Sequence, residues 1–365
     1  MTMKKPTTML AVLAVLSIAL SAVPPTETQA DSQVQTVLAD AVNNFVRPGY
    51  SALHTATRRM EAAIAPMCSE PSIEALDAAH DAFSELVEAW SEIEIIRFGP
   101  VVDDNRLERL LFFPDRRGIG LKQVQSVLIS KDKSATAQES LINKSVALQG
   151  LTALEYLLYG SGADALATGD TFRCAFAHAI SGRLEAVSDQ LENAWDAPDG
   201  ITQRLVSPDA GNPDFRTYAE GMQALLGVFV NSSELIADTR LKPFIGADAE
   251  SAKPKRALFW RSGLTGRAIS ANLRGLEKLY KTAGIERLLP MSASRFGQSA
   301  LFEMENARQT IATLNQPLAQ AVTNPNSHGS VNFIRIAIIS IRDTFSGRIA
   351  AGLGLSAGFS SLDGD

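Results

Sequence analysis

The chain has 365 residues, with 40 acidic and 34 basic side chains, a formal charge of −6 and an apolar share of 45%. That is enough to bury one large core or two ordinary ones. Gly and Pro are dispersed and only two cysteines are present, which excludes a disordered, collagenous or disulfide-dense chain. The acidic balance, with no basic tract standing out, argues against a general nucleic-acid binder.

Lys4 and Lys5 precede an apolar run from Met9 to Val23, and small residues lead to Thr28-Gln29-Ala30 before Asp31. This is the pattern of a cleaved signal peptide over residues 1–30, and the run is shorter than the roughly 20 residues that span a bilayer. The expected mature chain starts near Asp31 and is a periplasmic protein without stable membrane insertion. In that oxidising compartment Cys68 and Cys174, 106 positions apart, are expected to join. Closing so long a loop stabilises a fold by ~4 to 5 kcal/mol in the chain-entropy model. The alternative is a metal site on Cys174 and His178, four residues apart on one helical face; with the disulfide formed, His178 becomes a partly buried helix residue.

Apolar spacing is helical almost throughout. Leu76, Ala79, Phe83, Leu86, Trp90 and Ile93 follow Ser72, a cap candidate, and this helix is bounded by Gly99-Pro100. Leu141, Leu148, Leu151, Leu154 and Leu158 predict a helix ending at Gly160, and another is expected from Thr171 to Trp195. Pro198, Gly200, Pro208, Gly211 and Pro213 break the pattern, so 198–213 is the expected linker between an N-terminal bundle (31–197) and a C-terminal one (214–365). Helices are predicted at 215–238, 264–283, 294–314 and 331–349; in the last, Ile334, Ile336 and Ile338 also alternate as a strand would. The segment 275–280 faintly echoes 153–159, a hint of two related bundles, and the Gly- and Ser-rich tail from Gly352 reads as a loose terminus.

Ser145, Gln149, Thr152, Glu155, Tyr156 and Tyr159 form a polar stripe beside the leucines. A carboxylate near a core must be paired, protonated or metal-bound. Glu155 is therefore either half exposed or bonded to an arginine, with Arg97, Arg106 and Arg173 as candidates, or it is a ligand. Glu94, next to Ile93, is placed to point inward with it, while Glu88 and Glu92 read as a solvated face. Two carboxylates from two helices suit a hard cation or acid–base work. No two-histidine zinc helix, phosphate loop or nucleophile elbow is present, and His54, His80, His178 and His328 are scattered.

The stretch Gln149-Gly150-Leu151-Thr152-Ala153-Leu154-Glu155-Tyr156-Leu157-Leu158-Tyr159-Gly160 resembles the signature helix of the imelysin-like family. Similar to that family are also Trp90 to Pro100, Phe113-Pro114-Asp115-Arg116-Arg117-Gly118, Arg173-Cys174, Trp260-Arg261-Ser262-Gly263 and the closing Gly358 to Asp365. The resemblance implies an all-α fold of two helical bundles, an ordered tail, and a bacterial envelope protein linked to iron uptake, some relatives having been described as metallopeptidases. Of the family's Gly-x-His-x-x-Glu signature, Gly150 and Glu155 match, whereas Thr152 stands at the histidine. Lacking that imidazole, the chain is expected to be a non-enzymatic binding component for iron or another hard cation, acting with envelope proteins of an iron-uptake system. Glu155, Glu94 and Thr152 would be the ligands and Gln149 and Arg97 their neighbours. A metal-dependent peptidase and a protein-binding module with a degenerate metal site are the alternatives.

Overall fold

The computed structural model describes residues 1–2 and 26–355. Most of the expected signal peptide, and the tail beyond residue 355, lie outside the described residues. Those described form helices and turns, with no strand among them. The frame is built by α1 (Thr26–Ala41), α2 (Arg47–Ser69), α3 (Ile73–Ile93), α4 (Ile119–Ser130), α5 (Leu151–Tyr159), α6 (Thr171–Asp196), α7 (Tyr218–Glu234), α8 (Thr265–Ala283), α9 (Met291–Ala312) and α10 (Pro325–Asp343).

Ser72 caps α3 as its position foretold, its hydroxyl accepting from the Ala75 N–H at 3.1 Å. The helix then buries Leu76, Ala79, Phe83, Leu86, Trp90 and Ile93 on one face. It ends at Ile93, earlier than Gly99-Pro100, and those two residues open a separate 3-10 turn. α2 packs on both α3 and α6, and the Cys68–Cys174 disulfide ties α2 to α6 with the Cα atoms 5.5 Å apart. With both sulfurs so used, the Cys174–His178 metal alternative is overturned; His178 itself is exposed rather than partly buried. In the second half α10 packs against α7 and α9, and its alternating isoleucines are helical, Ile334 and Ile338 inward and Ile336 outward. Phe229 and Phe345 stack at 4.2 Å in this core, with the Tyr280 ring edge-on to both.

The helix expected to run through Leu141 and Leu148 to Gly160 is broken. Gln138–Leu141 is one turn, Val146–Leu148 a 3-10 turn, and α5 begins only after Gly150. The cause is a close approach: a Cβ on Gly150 would meet the carbonyl oxygens of Leu110 and Arg109 at 2.8 and 2.9 Å. A chain pinned there enters α5 in extended conformation. Ser145 and Gln149 therefore leave the stripe, which is helical only from Thr152 onward.

The halves of the chain meet along α3 and α8. Gly275 lets α8 come against the Glu92 carbonyl, where a side chain would collide. Glu88 and Glu92 are not a solvated face; they bridge this seam to Arg267, Arg274 and Lys278. Deeper in, the Glu94 side chain is fully buried, accepting from Arg240 at 2.6 Å and from Asn272 at 2.7 Å.

Candidate binding site

Glu155 sits midway along α5 and is 2% exposed. Its Oε1 accepts from the Ser262 N–H at 3.0 Å and from the Ser262 hydroxyl at 2.8 Å. Burial pushes its pKa up, and the Ser262 hydrogen bonds and the Arg261 charge only partly oppose that. The expected arginine partners are engaged elsewhere. Arg173 donates to the carbonyls of Leu157 and Ser161 at the end of α5, Arg106 to that of Pro100, and Arg97 lies in the field of Glu94 and Arg240.

Ser262 reaches Glu155 from 107 positions away on a loop before α8 that is held from within. Phe259 is buried there with φ at +58°, a left-handed conformation that a side chain adopts only when its surroundings impose it. Its ring meets Phe83 edge-on at 6.1 Å. Its carbonyl accepts from the Leu264 N–H at 3.0 Å, and Thr265 closes the loop by donating to the Leu258 carbonyl at 2.6 Å.

This loop, α5 and the residues leading into α4 line a half-open cavity of about 520 Å3. Its apolar wall includes Phe112, Phe113 and Phe259; Thr152, Glu155 and Tyr156 line it from α5. Arg261 places its guanidinium 4.5 Å from the Trp260 ring centre and 5.2 Å from that of Tyr156, while the Lys255 ammonium lies 5.7 Å from Trp260. The Tyr156 hydroxyl is fixed by Gln125 at 3.1 Å.

A family model described as Imelysin matches residues 46–332. The chain belongs to the imelysin family. It is 22% identical over 320 residues to iron-regulated protein A of Synechococcus elongatus, covering 84% of this chain and 83% of that one. An imelysin-like protein from Psychrobacter arcticum shares the fold at a TM-score of 0.71 and 20% identity, over 90% of this chain and 98% of the other. So does a protein from Parabacteroides distasonis described as an iron-regulated protein A precursor, at 0.70 and 14%, over 91% and 97%. These likenesses to solved structures carry the fold alone.

In this imelysin the signature positions Thr152 and Glu155 share one cavity, but Glu94 is not on its wall. Both Glu94 oxygens are taken by Arg240 and Asn272. The Thr152 hydroxyl faces the Phe112 carbonyl at 3.4 Å. Gln149 accepts from Arg109 and donates to the Lys144 carbonyl, each at 2.8 Å, so it fastens the turn before α5. Arg97 adjoins Glu94. Among the described residues no group of three or more His, Cys, Asp or Glu is arranged to hold a metal ion. The side chains present therefore do not fit a bare iron ion, which asks for several hard donors at once.

Sequence reasoning missed Ser262 as the partner of Glu155, and Lys255, Arg256 and Arg261 as cavity residues. A signal for the cations existed: residues 251–276 hold six basic side chains and no acid. This is a basic tract within an acidic chain, contrary to the expectation that none stands out. Two of the six, Arg267 and Arg274, are answered by Glu88 and Glu92.

Proposed function

We propose that this imelysin-family chain is a periplasmic, non-enzymatic binding component of an iron-acquisition system, with its ligand seated in the cavity beside Glu155. The observation that carries the reading is a half-open cavity whose signature carboxylate already accepts, through Oε1, from Ser262. A hydrolytic metal centre needs an open coordination position and a group that activates water. Thr152 supplies no imidazole, and Glu155 is held as an acceptor within the wall. The iron connection is supported by membership of the family and by the relative named iron-regulated protein A. No helix among the described residues is long and apolar enough to cross a membrane.

Deleting the gene and following accumulation of labelled iron under iron limitation tests this role. Uptake should slow and be restored by the full chain, but not by one lacking residues 1–30, which would fail to reach the periplasmic fraction. Unchanged uptake, or restoration by the cytoplasmic form, counts against it. Chelator-sensitive cleavage of an unfolded protein substrate by the purified chain would instead favour the metallopeptidase alternative.

A further inference from the structure

The charges around the cavity do not balance. Three acids line it, and each is answered locally. Asp115 accepts from the N–H groups of Ile119 and Leu121 at 2.8 and 3.2 Å, at the start of α4. Asp238 is bonded to Arg335 at 2.9 Å, with Lys242 and Arg342 at 3.9 Å. Glu155 is held by Ser262. The four lining cations, Arg116, Lys255, Arg256 and Arg261, meet no acidic side chain at ion-pair distance among the described residues.

The lining carries four cations against three acids, and Asp238 is already spent on Arg335, so the cavity is locally positive in a chain whose formal charge is −6. Concave walls focus such a field and draw in ions of the opposite charge. Arg261 is further constrained by the two rings it lies against, so little freedom is lost when its planar fork meets an oxyanion. Phe112, Phe113 and Phe259 line the same cavity and offer apolar surface to the carbon frame of a small molecule.

We propose that this cavity binds a small organic polyanion, carrying two or more carboxylate or phosphate groups, through Arg261, Lys255, Arg256 and Arg116. The proposal names the ligand class of the cavity assigned above and rests on that assignment, but not on iron. It also removes the misfit of a bare ion: a metal that enters with its own anionic chelator brings its hard donors with it.

Calorimetric titration of the mature chain at low ionic strength, with citrate and with pyrophosphate, each with and without ferric ion, tests the proposal. Saturable 1:1 binding is expected, weakening with added salt. Arg261→Ala should lower affinity about tenfold or more, and Lys255→Ala with Arg256→Ala by a similar factor, as loss of charge-assisted hydrogen bonds implies. Arg261→Lys, which keeps the charge without the fork, should fall between. Arg58→Ala, an exposed cation outside the cavity wall, should bind as the wild type does, and melting curves check that each variant is folded. Preference for citrate or for pyrophosphate identifies carboxylate or phosphate as the recognised group. No saturable binding of either anion, or an equal loss in Arg58→Ala, overturns the proposal. Tight anion binding that is indifferent to ferric ion leaves this site standing and counts against the iron role; iron-dependent uptake by cells alongside absent anion binding does the reverse.

Discussion

Glu155 shows how one buried carboxyl can be structural and still mark a site. Its Oε1 gathers two donors from Ser262, so Glu155→Gln, which keeps an oxygen there, should retain the loop, whereas Glu155→Ala leaves buried donors unmatched and should cost about 1 to 3 kcal/mol. The pH dependence follows from the raised pKa. Above the ordinary value of 4.5 the folded state holds this proton more strongly than the unfolded chain does, so wild-type stability declines as pH rises from there through the folded value. Glu155→Gln should lack that decline in denaturant titrations made at successive pH values; parallel profiles would show that Glu155 does not titrate in its raised position. That this residue lies near the core was legible in its three-four spacing beside the leucines, but its full burial was not, since a half-exposed carboxylate fitted the same spacing. Its partner was not, because Ser262 arrives from 107 positions away and no local pattern records such a meeting. Glu94 was equally visible as an inward acid, yet its neighbours Arg240 and Asn272 lie 146 and 178 positions on.

At the scale of elements, periodicity served well where a helix is long and one-sided, as in α3 and α8. It failed between Leu141 and Gly160, where leucines at helical intervals sit on separate turns because Gly150 is pressed against two carbonyls. Spacing counts residues and is blind to what crosses the backbone. The α2–α6 pair carries a device no periodicity would reveal. His54 on α2 lies between Glu192 and Glu185 of α6, at 2.5 and 3.0 Å. Burial opposes its charge, but the two carboxylates outweigh burial and raise its pKa above 6.5. The stabilisation is fully present below 6.5 and is lost as pH rises through the folded value. His54→Gln should therefore cost about 1 kcal/mol at pH 6, a few degrees in Tm, and progressively less towards pH 8. A variant deficit that does not shrink with pH would mean that the histidine acts only by packing.

At the scale of the whole molecule, the all-helical class and the imelysin family were both readable in advance, since amphipathic periods and short motifs are local properties. The long-range clasp was readable too, because two cysteines in a chain expected to be exported leave one pairing. Replacing both, as Cys68→Ser with Cys174→Ser, should lower stability by about 4 to 5 kcal/mol, on the order of 10 °C in Tm, and reduction of the wild type should do the same. An unchanged melting temperature would mean that α2 and α6 hold each other without it.

The cavity draws its walls from residues 112–156 and 238–261, stretches far apart in sequence. Neither stretch by itself is a receptor. Any molecule that fills the space grips both at once, so its binding energy becomes cohesion between early and late chain, about 2.7 kcal/mol at a concentration one hundred times Kd. Occupancy would thereby become a mechanical state: the loaded protein should resist separation of these two stretches, and proteases that probe such openings should distinguish full molecules from empty ones.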